Sequence, residues 1–172
     1  MTKRLLLAAF AVALGSPLSL SAQNRLMQSM KGLFDVTKTN IMATAEMLND
    51  EMYSFRPTDE VRSTAELLAH IANSQFSFCS SASGEGNPNN EDFEQTRTQK
   101  AEIIDALEAG FAYCERILAN TTDARAAQVV EGFGAIDTVG GILAFNSAHN
   151  YEHYGNLVTY MRLNGIVPPS SM

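Results

Sequence analysis

The sequence predicts an all-α protein, a four-helix bundle that follows an N-terminal signal peptide. Three observations predict it. Apolar residues recur at steps of three and four along four long segments, the spacing of one helical face. Strand-like alternation is scarce, and the densest cluster of Gly, Asn and acidic residues falls between segments. At 172 residues, 45% hydrophobic and 18% charged, the chain suits one domain whose core needs no metal in order to fold.

The N-terminus differs in composition from the rest. Lys3 and Arg4 precede an apolar run from Leu5 to Leu14, then Gly15, Ser16 and Pro17, then the small residues Ser19, Ser21 and Ala22. This is the charged, apolar and small-residue order of a secretory signal peptide, and the run is too short to span a bilayer. Cleavage is expected after Ala22, dividing the chain into residues 1–22, the signal peptide, and residues 23–172, one domain beginning at Gln23. Loss of Lys3 and Arg4 would take the net charge from −7 to −9. The mature protein is expected in an exported compartment, periplasm or medium. An acidic chain with no Lys/Arg cluster beyond Arg4 excludes nucleic-acid binding and stable membrane association as functions.

Each helix has its own signals. In the first, Leu26, Met30, Phe34, Thr37, Ile41, Ala45, Leu48 and Met52 form one continuous stripe, broken at Ser54–Thr58, where Pro57 drives the preceding residue out of the helical region. The second starts at a Ser63-x-x-Glu66 capping box and runs through Leu67, Leu68, Ile71, Phe78 and Cys79 to about Ala82. Residues 83–97 read as a long polar connection. The third helix starts near Thr98 and places Ile104, Leu107, Phe111, Cys114 and Leu118 on one face. Between Asn120 and Asp137 we expect a short helix at Asp123–Val130 and a turn at Glu131–Gly134. The fourth helix spans about Thr138 to Asn164, with Gly165 as its stop.

The two cysteines, Cys79 and Cys114, form an even pair, which in an exported protein reads as a disulfide. Antiparallel consecutive helices would hold them roughly 24 Å apart at 1.5 Å per residue. The 15-residue connection of residues 83–97 reaches about 50 Å, however, so the third helix can start back at the beginning of the second and run parallel to it. A bridge is then expected. Two buried thiols are the alternative.

Chemistry concentrates in the three histidines, His70, His149 and His153. His149 and His153 are four apart on the last helix, so both rings leave one face and can converge on one ion. Asn146 and Asn156 continue that polar strip. His70 sits in Leu67-Leu68-Ala69-His70-Ile71; by itself it reads as a hydrogen-bonded core histidine, and the other pair by itself as metal ligands or surface residues. Taken together, three neutral imidazoles from two helices make a facial set with open positions.

Leu67-Leu68-Ala69-His70-Ile71-Ala72, the segment His149-Asn150-Tyr151-Glu152-His153-Tyr154-Gly155-Asn156-Leu157, the closing Tyr160–Pro169 stretch and the approach Phe55-Arg56-Pro57 resemble the DinB/YfiT-like superfamily of metalloenzymes. The resemblance implies an up-down-down-up bundle and one divalent transition metal, zinc, nickel or iron, on His70, His149 and His153. Members often carry Arg-Gly-Gln after the last histidine; this chain has Tyr154-Gly155-Asn156, a departure that leaves the ligands intact. Relatives that transfer or isomerise thiol compounds imply one activity. Export separates the chain from cytosolic thiols, so the expected function is a hydrolase-type enzyme in which the ion activates water against a small-molecule substrate. A non-catalytic metal-binding or stress protein, a thiol S-transferase and a plain structural bundle are the alternatives; a homodimer is left open. Glu66, one turn before His70, is the nearest candidate base, though capping accounts for it equally well, and Glu152 reads as solvated.

Overall fold

The structure, a computed structural model, describes residues 24–172. The expected signal peptide and cleavage point lie outside the described residues. The described chain is mostly helical, with seven α-helices and one hairpin.

Helix α1 (Arg25–Met47) buries Phe34, Thr37, Ile41 and Ala45 of the stripe read from the sequence, whereas Leu26, placed at the head of that stripe, is exposed and Met27 is buried in its stead. It stops earlier than expected. Asn49 is extended and its side chain accepts from the Met52 amide, which starts a separate helix α2 (Asp50–Ser54). Helix α3 (Thr64–Ser83) opens on the Ser63–Glu66 capping box and closes at Gly84, whose φ of +76° needs a residue without a Cβ. The polar connection is not featureless. Asp92 caps one turn, α4 (Phe93–Thr96), and buried Phe93 anchors it edge-on against Phe76 at 6.1 Å.

Helix α5 (Lys100–Asn120) leads to α6 (Asp123–Ala126), capped by Thr122. The helix expected to reach Val130 ends at Ala126. Val129–Phe133 (β1) pairs instead with Ile136–Thr138 (β2) in an antiparallel hairpin, Val129 opposite Thr138 and Phe133 opposite Ile136. Four β-branched residues and a phenylalanine favour strand here, so Glu131–Phe133, expected within a turn, extend β1, and the turn falls at Gly134, whose φ is +63°. Thr138 then caps α7 (Val139–Leu163) through the Gly141 amide.

Side-chain pairs give the directions of the long helices. Lys100 donates to the carbonyls of Glu46 and Leu48 while Phe34 meets Phe111 at 5.7 Å, so α1 and α5 run antiparallel. Phe76 stacks on Tyr113 at 5.5 Å and Cys79 is bridged to Cys114, so α3 and α5 run parallel. The bridge spans 5.4 Å between Cα atoms, and both cysteines are fully buried. Gly110 permits this approach, since a Cβ there would meet the Ala72 carbonyl oxygen at 3.0 Å. Against α7, α3 runs antiparallel: His70 lies beside His149, Gln75 beside Asn150, and Phe78 beside Phe145. Phe34, Ile41, Leu68, Leu107, Ile142 and Leu157 are among the residues that fill the core between these helices.

One row inside that core is polar. Asn146 donates to Gln75 Oε1 at 2.9 Å, and Gln75 donates to Asn150 Oδ1 at 2.7 Å. All three side chains are buried, as polar groups partnered in this way can be. Asn156, read from the sequence as part of the same strip, is exposed instead. The row runs along the α3–α7 contact and ends one turn below the histidines.

Candidate metal centre

His70 comes from the middle of α3, and His149 and His153 come from successive turns of α7 facing it. The antiparallel contact brings the two helix faces together, and the Nε2 atoms converge. His70 Nε2 lies 3.2 Å from His149 Nε2, which lies 2.9 Å from His153 Nε2. The ring pairs are tilted or edge-on, with centroids 4.2–5.1 Å apart. Ligand atoms of all three residues lie within 4.8 Å of one another, so the cluster could hold a metal ion.

Nitrogens about 2.0–2.1 Å from one zinc ion stand roughly 2.9–3.4 Å apart for angles between right and tetrahedral. Both short separations fall in that range. Proton placement supports the same fit. A Glu94 carboxylate oxygen accepts at 2.8 Å from His70 Nδ1, so the ring proton sits on Nδ1 and Nε2 presents a lone pair. His149 Nε2 can donate one proton to one neighbour only, which leaves another close contact without one. A cation at the centre relieves all of them.

The electrostatics favour neutral rings. Burial, then the neighbouring His153, His70 and Arg62, push the His149 pKa down to about 3. Burial and His70 push His153 down to about 4, with Glu152 opposing. Burial and Arg62 also lower His70, with Glu94 opposing. All three are therefore unprotonated near neutral pH, the form in which imidazole binds metal.

Outside the ring of nitrogens the support is uneven. Glu94 holds His70 with one oxygen and accepts from Arg62 Nε at 2.9 Å with the other. A carboxylate behind a histidine sets its tautomer and raises its basicity. The Nδ1 atoms of His149 and His153 are buried without a hydrogen-bond partner among the described residues.

Sequence reading found the three histidines and missed Glu94, which lies 24 residues beyond His70 in the polar connection. Only Asp92, as the cap of a one-turn helix carrying Glu94, gave a local signal. Glu66 does not serve the centre. Its oxygens accept from the Ser63 amide and from Arg56, so capping and an ion pair account for it. Glu152 is exposed, as expected, yet it lines the cleft beside His153 with Arg62, Leu67, Asn156 and Tyr160. That cleft encloses about 640 Å³, within the range for a small-molecule site.

The fold is thus a mostly helical one with a three-histidine cluster, able to hold a metal ion, between two antiparallel helices. Residues 33–157 match the model of the DinB superfamily, and the chain belongs to that superfamily. Solved structures agree on the fold. A DinB-like protein from Bacillus cereus ATCC 10987 is 17% identical with a TM-score of 0.70, over 83% of this chain and 95% of its own. A DinB-like protein from Bacillus subtilis is 21% identical with a TM-score of 0.64, over 80% and 92% of the two chains. A conserved protein from Enterococcus faecalis is 16% identical with a TM-score of 0.65, over 79% and 95%. No curated protein sequence matches this chain.

Proposed function

We propose that this protein is an exported DinB-superfamily enzyme of hydrolase type, in which His70, His149 and His153 hold one divalent transition metal ion. In this reading the four long helices α1, α3, α5 and α7 are the family's four-helix bundle in up-down-down-up order, and residues 23–172 are the mature domain. The observation that carries the proposal is the convergence of three neutral Nε2 atoms at 2.9 and 3.2 Å in a fold of this family.

A divalent ion held by these nitrogens would supply Lewis-acid polarisation of a water or carbonyl oxygen in its open positions. The chain's own residues do the rest. Glu94 orients His70, and Arg62 keeps Glu94 in place and leaves it no free oxygen for proton transfer. Glu152 forms no ion pair among the described residues and shares the cleft with His153, so it is our choice for the proton acceptor. Leu67 and Tyr160 wall the cleft, and Tyr160 donates to the Arg62 carbonyl at 2.9 Å.

Export is supported by the N-terminal sequence and by the Cys79–Cys114 bridge, which suits an oxidising compartment. No helix among the described residues is long and apolar enough to cross a membrane. Assaying protein loaded with zinc, nickel or iron against p-nitrophenyl esters and phosphates tests the activity. Turnover that disappears in His149→Ala and in the stripped protein supports the hydrolase reading. Stoichiometric metal with no turnover supports the non-catalytic reading.

A further inference from the structure

The surroundings of the three histidines are not alike. His70 faces Glu94 and the polar connection, and His153 faces Arg62, Glu152 and Asn156. Of the three, only His149 packs against a phenylalanine ring. Phe78 of α3 meets the His149 ring edge-on at 5.2 Å, and it also meets Phe145 at 5.3 Å and Phe133 at 5.4 Å. Phe145 and His149 are four residues apart on α7, so they share a face. Phe133 reaches the same place from the end of β1, and its ring lies 6.4 Å from that of Phe145.

Packing of the hairpin does not account for all of this. Phe133 stays 44% exposed and Phe145 37% exposed, so two large rings hold apolar surface in water directly beside the cluster. Isolated exposed apolar residues are ordinary, but rings in mutual contact that continue from a candidate metal centre form a patch with a chemical neighbour. A ligand whose head group sits among the histidine nitrogens therefore finds a mixed cleft toward His153, where Leu67 and Tyr160 stand beside Arg62, Glu152 and Asn156, and a cluster of phenylalanine rings toward His149.

We propose that Phe78, Phe133 and Phe145 form the apolar subsite of this centre and take the aryl group of a small ligand whose oxygen head group is held at the three histidines. The proposal rests on the metal reading given above. It narrows the substrate class to small molecules that join a metal-binding oxygen function, such as a carboxylate, an ester or an amide, to an aromatic ring. Ring faces and edges in this arrangement favour a further aromatic over a methyl group.

Benzohydroxamate and acetohydroxamate test it, because they share a chelating head and differ by phenyl against methyl. Calorimetric titration of zinc-loaded protein should give benzohydroxamate an affinity about tenfold or more above acetohydroxamate. Phe133→Ala and Phe145→Ala should each reduce that ratio to about threefold or less. Phe133 is a half-exposed hairpin residue outside the core, so its variant keeps the test available if Phe145→Ala fails to fold. Equal binding of both compounds, or a ratio that survives both substitutions, would overturn the subsite while leaving the metal centre standing. Failure of both compounds to bind overturns the subsite; if zinc uptake is also absent, the metal reading falls with it.

Discussion

Glu94 accepts a hydrogen bond from His70 at 2.8 Å, although the two residues belong to different elements and lie 24 positions apart. The one-turn helix carrying Glu94 is pinned by Phe93, buried against Phe76, and by Asn73, whose side chain donates to Asp92 and accepts from the Phe93 amide. A long polar connection therefore delivers a positioned carboxylate to the histidine cluster. Such outer carboxylates typically contribute about 10–100-fold to metal affinity. Glu94→Gln is expected to weaken zinc binding by about that factor in chelator competition, with the helical content unchanged. Affinity equal to that of the unaltered protein would remove Glu94 from the centre.

Acid should destabilise the metal-free protein through its histidines. In the folded chain His149 and His153 protonate only near pH 3 and 4, whereas in the unfolded chain they protonate near their ordinary value of about 6.5. Between those values the unfolded state binds more protons, so stability is full above about pH 6.5 and is lost as pH falls toward 4. Denaturant midpoints of chelator-treated protein at pH 7.0 and 5.0, compared with those of a His149→Gln, His153→Gln double variant, measure the effect, with the steeper decline expected in the unaltered chain. Identical declines would show that the histidines do not titrate as described.

The Cys79–Cys114 bridge closes a sequence separation of 35 residues. On the chain-entropy account its removal costs about 3–4 kcal/mol. Cys79→Ala with Cys114→Ala should unfold at a lower denaturant concentration than the bridged protein while keeping the same helical content. The double variant is the right comparison, because both sulfurs are buried and a reductant reaches them slowly. An unchanged midpoint would mean that the bridge holds two helices already held by packing around Gly110.

Export carries its own test. Native protein recovered from the exported fraction should begin at Gln23 by N-terminal sequencing. Intact Met1 on protein from the native host would contradict both the cleavage and the compartment.

The sequence made some of this visible and hid the rest for physical reasons. Helical periodicity marked the stripes of α1 and α5, and the Ser63–Glu66 box marked the start of α3, because such signals involve neighbours within one turn. His149 and His153 were legible for the same reason. The break before Asp50 was not, since it depends on Asn49 capping a new helix inside an unbroken apolar stripe. The hairpin at Val129–Thr138 was missed because a short apolar run reads equally well as helix or strand until its pairing partner is known. Glu94, Arg62 and the contact of Phe133 with Phe78 depend on tertiary placement alone. Asn150 followed neither rule: it sits next to His149 in sequence, yet its partners Gln75 and Thr37 come from other helices.

Elemental analysis of protein purified from its native exported compartment, alongside His149→Ala and His153→Ala prepared in the same way, tests the metal centre most directly. The expected result is one divalent transition metal ion per chain in the unaltered protein and loss of most of it in each variant. Metal-free native protein, or variants that keep a full equivalent, would contradict the assignment of His70, His149 and His153.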